Sequence, residues 1–488
     1  MTITSESLTL NHLKTELIWR YFLEITQIPR PSFHEQKIKA YLLNWANQQG
    51  FDHEVDAADN IVIFVPASEG YETHNPVVLQ AHKDMVCEKN ADVDFDFLTQ
   101  GLDVSIEDGW LKANGTTLGA DNGLGIAAAM AVATDSSVDH PPLEILVTAT
   151  EERGLIGANN LSDKLLSGKT MINLDTESWG DIYIGCAGSR SAKITLPFTR
   201  VTNTKSTTVS IKIHGLKGGH SGLDIHQPRI NSAKFLGLML NELNQKFDFL
   251  INDINAGNLP NAIPREAHIL LSIDKENESK LMAEINDYYQ RWFKEYQRFE
   301  PHFKVDVNIA KTSDSALDKN TQNTLITFIN AIHSGVLSMS PSMPNLVETS
   351  NNLSSIKHKD NQLIITIYTR SDNALGIDNF LAGIKNLADN HDDAGIEISP
   401  LSPGWKPDIH SKILTIAEES HEKLYGKKAN IKAIHAGLEC GAIAAKYPGM
   451  DMVSIGPTIE NAHSPDEAAK IDTVAPFYRL LCHMLAKL

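Results

Sequence analysis

No run of about 18 or more apolar residues occurs in the 488-residue sequence, so no stretch of it reads as a membrane span. Cysteine is scarce. Cys87, Cys186, Cys440 and Cys482 lie far apart with no CxxC pair, which excludes a disulfide framework and points to reduced thiols in a cytoplasmic setting. The opening MTITSESLTLNHLKTE lacks the basic start and apolar stretch of a secretory signal. Cations are in deficit: 43 Lys and Arg stand against 61 Asp and Glu, for a net charge of −18. A nucleic-acid partner needs a basic footprint and is excluded on that ground. Low-complexity segments and fixed-period repeats are also missing.

What remains is an ordinary globular composition, 42% hydrophobic and 21% charged. The length exceeds the roughly 250–300 residues at which one core stops growing, so two or three domains are expected. The first third alternates helices and strands. A helix is predicted from Leu13 to Ile25, stopped by the Pro29 and Pro31 pair, and another from His34 to Gln49. Short β-branched runs at Ile61–Val65, Val77–Leu79, Ile145–Val147 and Ile172–Leu174 predict a mixed, mostly parallel sheet buried on both faces. The small-residue stretch Gly123–Thr134 predicts a helix packed tightly on that sheet. From Ser206 to about Pro400 the style becomes α+β, long enough for two ferredoxin-like units in sequence. After Pro403 the earlier style returns. The expected organisation is thus a catalytic domain split between 1–187 and 403–488, with 188–402 inserted as a lid.

Chemistry-bearing residues recur where the apolar strands give out. PVVLQAHKD delivers His82 and Asp84, which at a spacing of two share one side of an extended chain. GADNG sets Asp121 in a glycine turn before a helix, where it suits either a metal ligand or an N-cap. The absence of a lysine–serine phosphate loop disfavours a phosphate site there. LVTATEERG places Glu151 and Glu152 side by side after a strand, an electrostatic liability unless a cation lies between them. NLDTE ends a strand on Asp175, and a loop after a further strand carries His463. Each signal is weak singly; the recurrence around one sheet, where α/β folds bind ligands, gives them weight.

The order HKD, GADNG, TATEERGL, NLDTE, GGHSG, NAHSPDE resembles the aminoacylase/carnosinase family of di-zinc metallopeptidases over nearly the whole chain. The long insert and the strings VETSNN and HAGLECG are similar to its branch acting on aminoacyl-histidine dipeptides. The resemblance implies two Zn²⁺ per chain, with Co²⁺ or Mn²⁺ as substitutes. His82 and Asp175 would hold one, Glu152 and His463 the other, and Asp121 would bridge. It implies Asp84 as the group orienting His82, Glu151 as general base, and His220 of GGHSG as oxyanion donor. Arg370 is then the anchor for a substrate carboxylate and Asn261 of NAIP lies near the scissile group, while Gly437 and Glu439 shape the pocket. It also implies a cis Asp121–Asn122 peptide. The implied activity is hydrolysis of dipeptides with free termini, including those ending in histidine, by zinc-activated hydroxide, in a cytoplasmic homodimer. An N-acyl-amino-acid deacylase or another exopeptidase would share the metal residues. A non-catalytic metal-dependent binding protein would need neither Glu151 nor Asp84.

Overall fold

The computed structural model describes residues 9–13, 16–391 and 393–488. The expected helix from Leu13 to Ile25 crosses residues 14 and 15, outside that set, and is seen as Leu17–Ile25, ending before Pro29 as predicted. Residues 1–8 of the opening also lie outside it.

The described residues form two compact units. The first comprises residues up to Cys186 together with Trp405–Ala433 and Leu438–Leu488; the second is Ala187–Gly404 with Ile434–Gly437. The return to the first unit is therefore interrupted. Residues 434–437 join the second unit because the Ala187 N–H donates to both the Ile434 and Ala436 carbonyls, each at 3.0 Å.

Apolar strands build the first unit. Val77–His82 and Leu143–Thr148 are buried at every position, as a strand covered on both faces demands. An eight-stranded sheet results among the described residues. Its central strands Leu143–Thr148, Val77–His82, Thr170–Asn173 and Asp451–Ser454 run parallel, and the strands beside them pair antiparallel. Helix Ala120–Thr134 packs on this sheet through alanine and glycine. A Cβ on Gly125 would lie 2.7 Å from the Leu174 carbonyl oxygen, so only glycine lets the helix approach so closely.

The second unit holds a nine-stranded antiparallel sheet. Thr207–His214, helix Ser232–Lys246, Leu250–Ala256, Ala267–Ile273, helix Glu278–Tyr296 and Lys304–Ala310 make one ferredoxin-like βαββαβ unit, ordered fourth, first, third, second across the sheet. Gly188–Pro197, helix Lys319–Ala331, Val347–Lys359, Gln362–Ser371, helix Ala374–Asp389 and Gly395–Ile398 make another with the same order. The two do not follow one another. The first is nested inside the second, after its first strand, and enters and leaves through an antiparallel ribbon of Arg200–Thr202 with Ser315–Leu317. The halves share one apolar core. Their main chains meet at a single register pair, Ala256 with Ile356.

Candidate active site

The first unit gathers at one edge of its sheet the residues that lay scattered in sequence. His82 is the last residue of its strand, Asp175 lies two past Asn173, and Glu151 opens a 3₁₀ turn just after Thr148. Asp121 sits in the first turn of helix Ala120–Thr134, and its peptide bond to Asn122 is cis. His82, Glu151 and Asp175 lie at the carboxyl ends of parallel strands, where open α/β sheets place their sites, and Asp121 joins them from the start of the helix.

The Asp121 carboxylate divides its oxygens. Oδ1 is 2.9 Å from His82 Nε2, and Oδ2 is 3.2 Å from His463 Nε2. His82 Nε2 is also 3.5 Å from Asp175 Oδ1, and His463 Nε2 is 3.0 Å from Glu152 Oε2. Three overlapping groups bring their ligand atoms within 4.8 Å of one another: His82, Asp121 and Asp175; Asp121, Glu152 and His463; and His82 with Glu151 and Glu152.

Asp84 braces this arrangement twice. Its Oδ1 is 3.4 Å from His82 Nδ1. The same carboxylate accepts from the N–H groups of Glu151 at 2.9 Å and Glu152 at 3.2 Å, and from Ser32 Oγ at 2.7 Å. Burial opposes its charge, yet His82, Ser32 and the Glu151 amide hold the Asp84 carboxyl down at about 2. Arg30, buried beneath, donates to the Asp84 and Gly119 carbonyls and ties the two ligand loops together.

The residues fit divalent metal ions. Glu152 Oε1 and Asp175 Oδ1 are buried without a hydrogen-bond partner, and among the described residues no lysine or arginine pairs with Asp121, Glu151, Glu152 or Asp175. Burial, with the charge of Asp121, pushes Asp175 up to about 7. Burial also drives Glu151 well above its ordinary value, reinforced by the charges of Glu439, Asp175 and Glu152. Hydrogen bonds to Asp121 and Glu152 raise His463 to about 11. The imidazole and carboxylate donors of the site match zinc or a similar cation.

Three buried residues escaped the sequence reading. The Glu467 carboxylate, closing the NAHSPDE string, accepts from four successive N–H groups: Leu118 at 2.8 Å, Gly119 at 2.9 Å, Ala120 at 2.8 Å and Asp121 at 3.2 Å. It shapes the turn that carries Asp121. Glu35 accepts from Thr150 Oγ1 at 2.6 Å and steadies the turn that carries Glu151. His435 belongs to the second unit, where its Nε2 lies 2.8 Å from Ser350 Oγ.

The remaining candidates divide between the units. Glu439 lies in the first, buried, with Oε2 taking hydrogen bonds from Gln80 and Thr148 at 2.6 Å and Oε1 unpartnered. The second holds His220, Arg370, Asn261 and Gly437. His220 Nδ1 accepts from the Gly222 and Leu223 amides at 3.2 and 3.1 Å, which leaves the ring proton on Nε2. Burial and the Arg370 charge hold its pKa at about 4, so the ring is neutral at pH 7. Arg370 Nη2 lies 3.3 Å from His220 Nε2, and its guanidinium sits 4.8 Å over the Tyr368 ring. Its Nε reaches Ser221 Oγ at 3.5 Å. Asn261 is exposed, and its carbonyl accepts from Ser221 N–H at 2.8 Å. Gly437 is exposed as well.

A parallel-centred α/β sheet with imidazoles and carboxylates converging at its carboxyl edge defines a hydrolase of the metallopeptidase class. A family model described as peptidase family M20/M25/M40 matches residues 78–487. The chain belongs to that family. It is 38% identical over 480 residues to a cytosol non-specific dipeptidase of Escherichia coli (strain K12), across 98% of this chain and 99% of that protein. The crystal structure of an aminoacylhistidine dipeptidase from Vibrio alginolyticus superposes with a TM-score of 0.91 at 38% identity, covering 100% of this chain and 99% of that one. An aminopeptidase PepT from Bacillus cereus ATCC 10987 shares the fold at a TM-score of 0.56 and 15% identity, over 96% and 98% of the chains.

Proposed function

We propose that the protein is a two-zinc dipeptidase that cleaves dipeptides with free termini, Xaa-His among them. One observation carries the reading. The Asp121 carboxylate turns one oxygen to His82 and the other to His463, and each imidazole has its own second carboxylate, Asp175 or Glu152. Two cation sites sharing one bridging carboxylate account for that division. The likeness to two dipeptidases at 38% identity over nearly full length supports the substrate class.

In this reading His82, Asp175, Glu152, His463 and the bridging Asp121 hold the ions. When bound, the pair supplies Lewis acidity and a water of lowered pKa, its charge exceeding that of the three carboxylates. Glu151 takes a proton from the attacking water on its carboxylate and returns it to the leaving amine. Its burial beside three other acids favours holding that proton. Asp84 keeps His82 in register and fixes the Glu151 turn through two backbone amides. In the second unit, His220 Nε2–H donates to the carbonyl oxygen as charge develops. Arg370, a buried fork of donors, takes the substrate's terminal carboxylate. Asn261 stands near the scissile group and Gly437 borders the pocket. Glu439, with one buried oxygen unpartnered, offers an acceptor for the substrate's amino end. We place the enzyme in the cytoplasm, in line with the name of its E. coli relative, and the homodimer that the resemblance implies is checked by light scattering.

The test is amine release by metal-loaded enzyme from free dipeptides, C-terminally amidated dipeptides, tripeptides and N-acetyl amino acids. Free dipeptides are expected to be cleaved fastest, with Arg370→Ala narrowing the gap to amidated ones by about tenfold or more. Equal rates on amidated or longer peptides would refute the dipeptidase reading, and preference for N-acetyl amino acids would mark a deacylase.

A further inference from the structure

The proposed function leaves the string VETSNN without a task, and the two ferredoxin-like halves with a weak main-chain seam. We propose that Asn352 in that string is a positioning residue that sets His220 against Arg370 and thereby the preference for a free carboxylate. The inference rests on the roles proposed above for those two residues.

His220 and Arg370 belong to different halves. His220 ends a two-residue strand of the nested half, in a ribbon that pairs Gly219 with Ile263 and His220 with Ala262. Arg370 lies on strand Gln362–Ser371 of the enclosing half, paired with Ser350 on the neighbouring strand. Backbone pairing between the sheet halves amounts to Ala256 with Ile356 alone. Ile263 of the ribbon also packs with Val347 of the enclosing half, and Arg370 Nε reaches Ser221 Oγ at 3.5 Å.

Asn352 adds a buried polar tie to these. It lies on the strand beside that of Arg370, in register with Tyr368, and is 1% exposed. Its Nδ2 donates across the seam to the Ala262 carbonyl at 2.8 Å and reaches the Pro260 carbonyl at 3.3 Å. Ala262 is the residue paired with His220. A short path therefore runs from His220 through the ribbon to Asn352, and across one strand pair to the segment that carries Arg370. The bonds are not equally backed up. Pro260 O also accepts from Ser354 Oγ at 2.7 Å, and Asn231, which donates to Asn352 Oδ1 at 3.2 Å, also reaches Leu353 O at 2.9 Å and Ser334 Oγ at 3.0 Å. Across the seam, only the Ala262 carbonyl depends on Asn352. Loss of the amide should loosen the His220 ribbon while sparing the rest of the seam.

The readout is selectivity, taken as the ratio of kcat/KM for a free dipeptide to that for its C-terminal amide. A purely structural residue lowers both rates alike. Asn352→Ala is expected to reduce the ratio about tenfold, chiefly through KM for the free dipeptide, and the H220A/N352A enzyme is expected to show no further loss beyond H220A, within about twofold, because coupled residues are not additive. Asn352→Ser, polar but too short for the Ala262 carbonyl, should behave alike and covers the case in which the alanine variant does not fold. A folded variant with wild-type selectivity, or losses that add in the double mutant, would overturn the proposal. If His220→Ala itself left rate and selectivity unchanged, the role assigned to His220 would fall instead, whatever Asn352 did.

Discussion

Glu467 offers a demanding check on how the proposed metal centre is held. Its carboxylate meets four backbone N–H groups at 2.8–3.2 Å in the turn that ends on Asp121. Glutamine at this position keeps the shape but swaps one oxygen for an NH₂ that must face two amide donors. Two charge-assisted hydrogen bonds worth about 1.5–3 kcal/mol each are lost, and two buried N–H groups are orphaned. Relaxation of the turn recovers part of this, so a net cost of about 3 kcal/mol is expected. Because the same turn positions the bridging carboxylate, part of the cost should surface as weaker metal binding, about 10–100-fold, the usual effect of losing a group that orients a ligand. Competition with a chelator measures affinity, and denaturant unfolding of the metal-free protein measures stability. Affinity within threefold and stability within about 0.5 kcal/mol of wild type in Glu467→Gln would show that the carboxylate does not hold the turn.

Two further outcomes bear on the centre. Metal analysis of the zinc-loaded protein should find two ions per chain, and Asp121→Ala should lower occupancy of both, since one carboxylate faces both imidazoles; a variant that keeps one site at full affinity would contradict the bridge. Glu151→Ala should retain its metal but lose about 10²–10⁴ in kcat, the range for removing a general base, with Glu151→Asp retaining a little; turnover within tenfold of wild type would put the base elsewhere.

The candidate metal site was legible because its residues break pattern. His82, Glu151, Glu152 and Asp175 each interrupt or follow an apolar strand, and a strand end is where a charged side chain needs a purpose. Glu467 breaks no pattern. A carboxylate beside Asp466 in a polar loop looks solvated, and only the fold reveals four amides converging on it. The nested order of the ferredoxin-like halves was hidden for a different reason. Strand and helix alternate in the same way whether one unit follows another or sits inside it, and the ribbon that marks the insertion is only Arg200–Thr202 with Ser315–Leu317. The stretch 434–437 was equally silent, because a four-residue change of unit alters neither composition nor periodicity.

The place of strand Asp451–Ser454 has a consequence for how the chain is made. It lies between Thr170–Asn173 and Asp181–Cys186, pairing with both, yet it is synthesised more than 260 residues after them. Until then the nascent sheet has a gap at its middle, with two buried-type strands exposing unpaired edges of the sort that recruit other chains. The nested half, by contrast, is continuous from Thr207 to Lys304–Ala310, so all its strands are made before the enclosing half is complete. Ribosome-bound chains stopped before residue 451 should therefore carry an unfinished amino-terminal sheet, and the site is complete only once residues 451–467, with that strand, His463 and Glu467, have emerged.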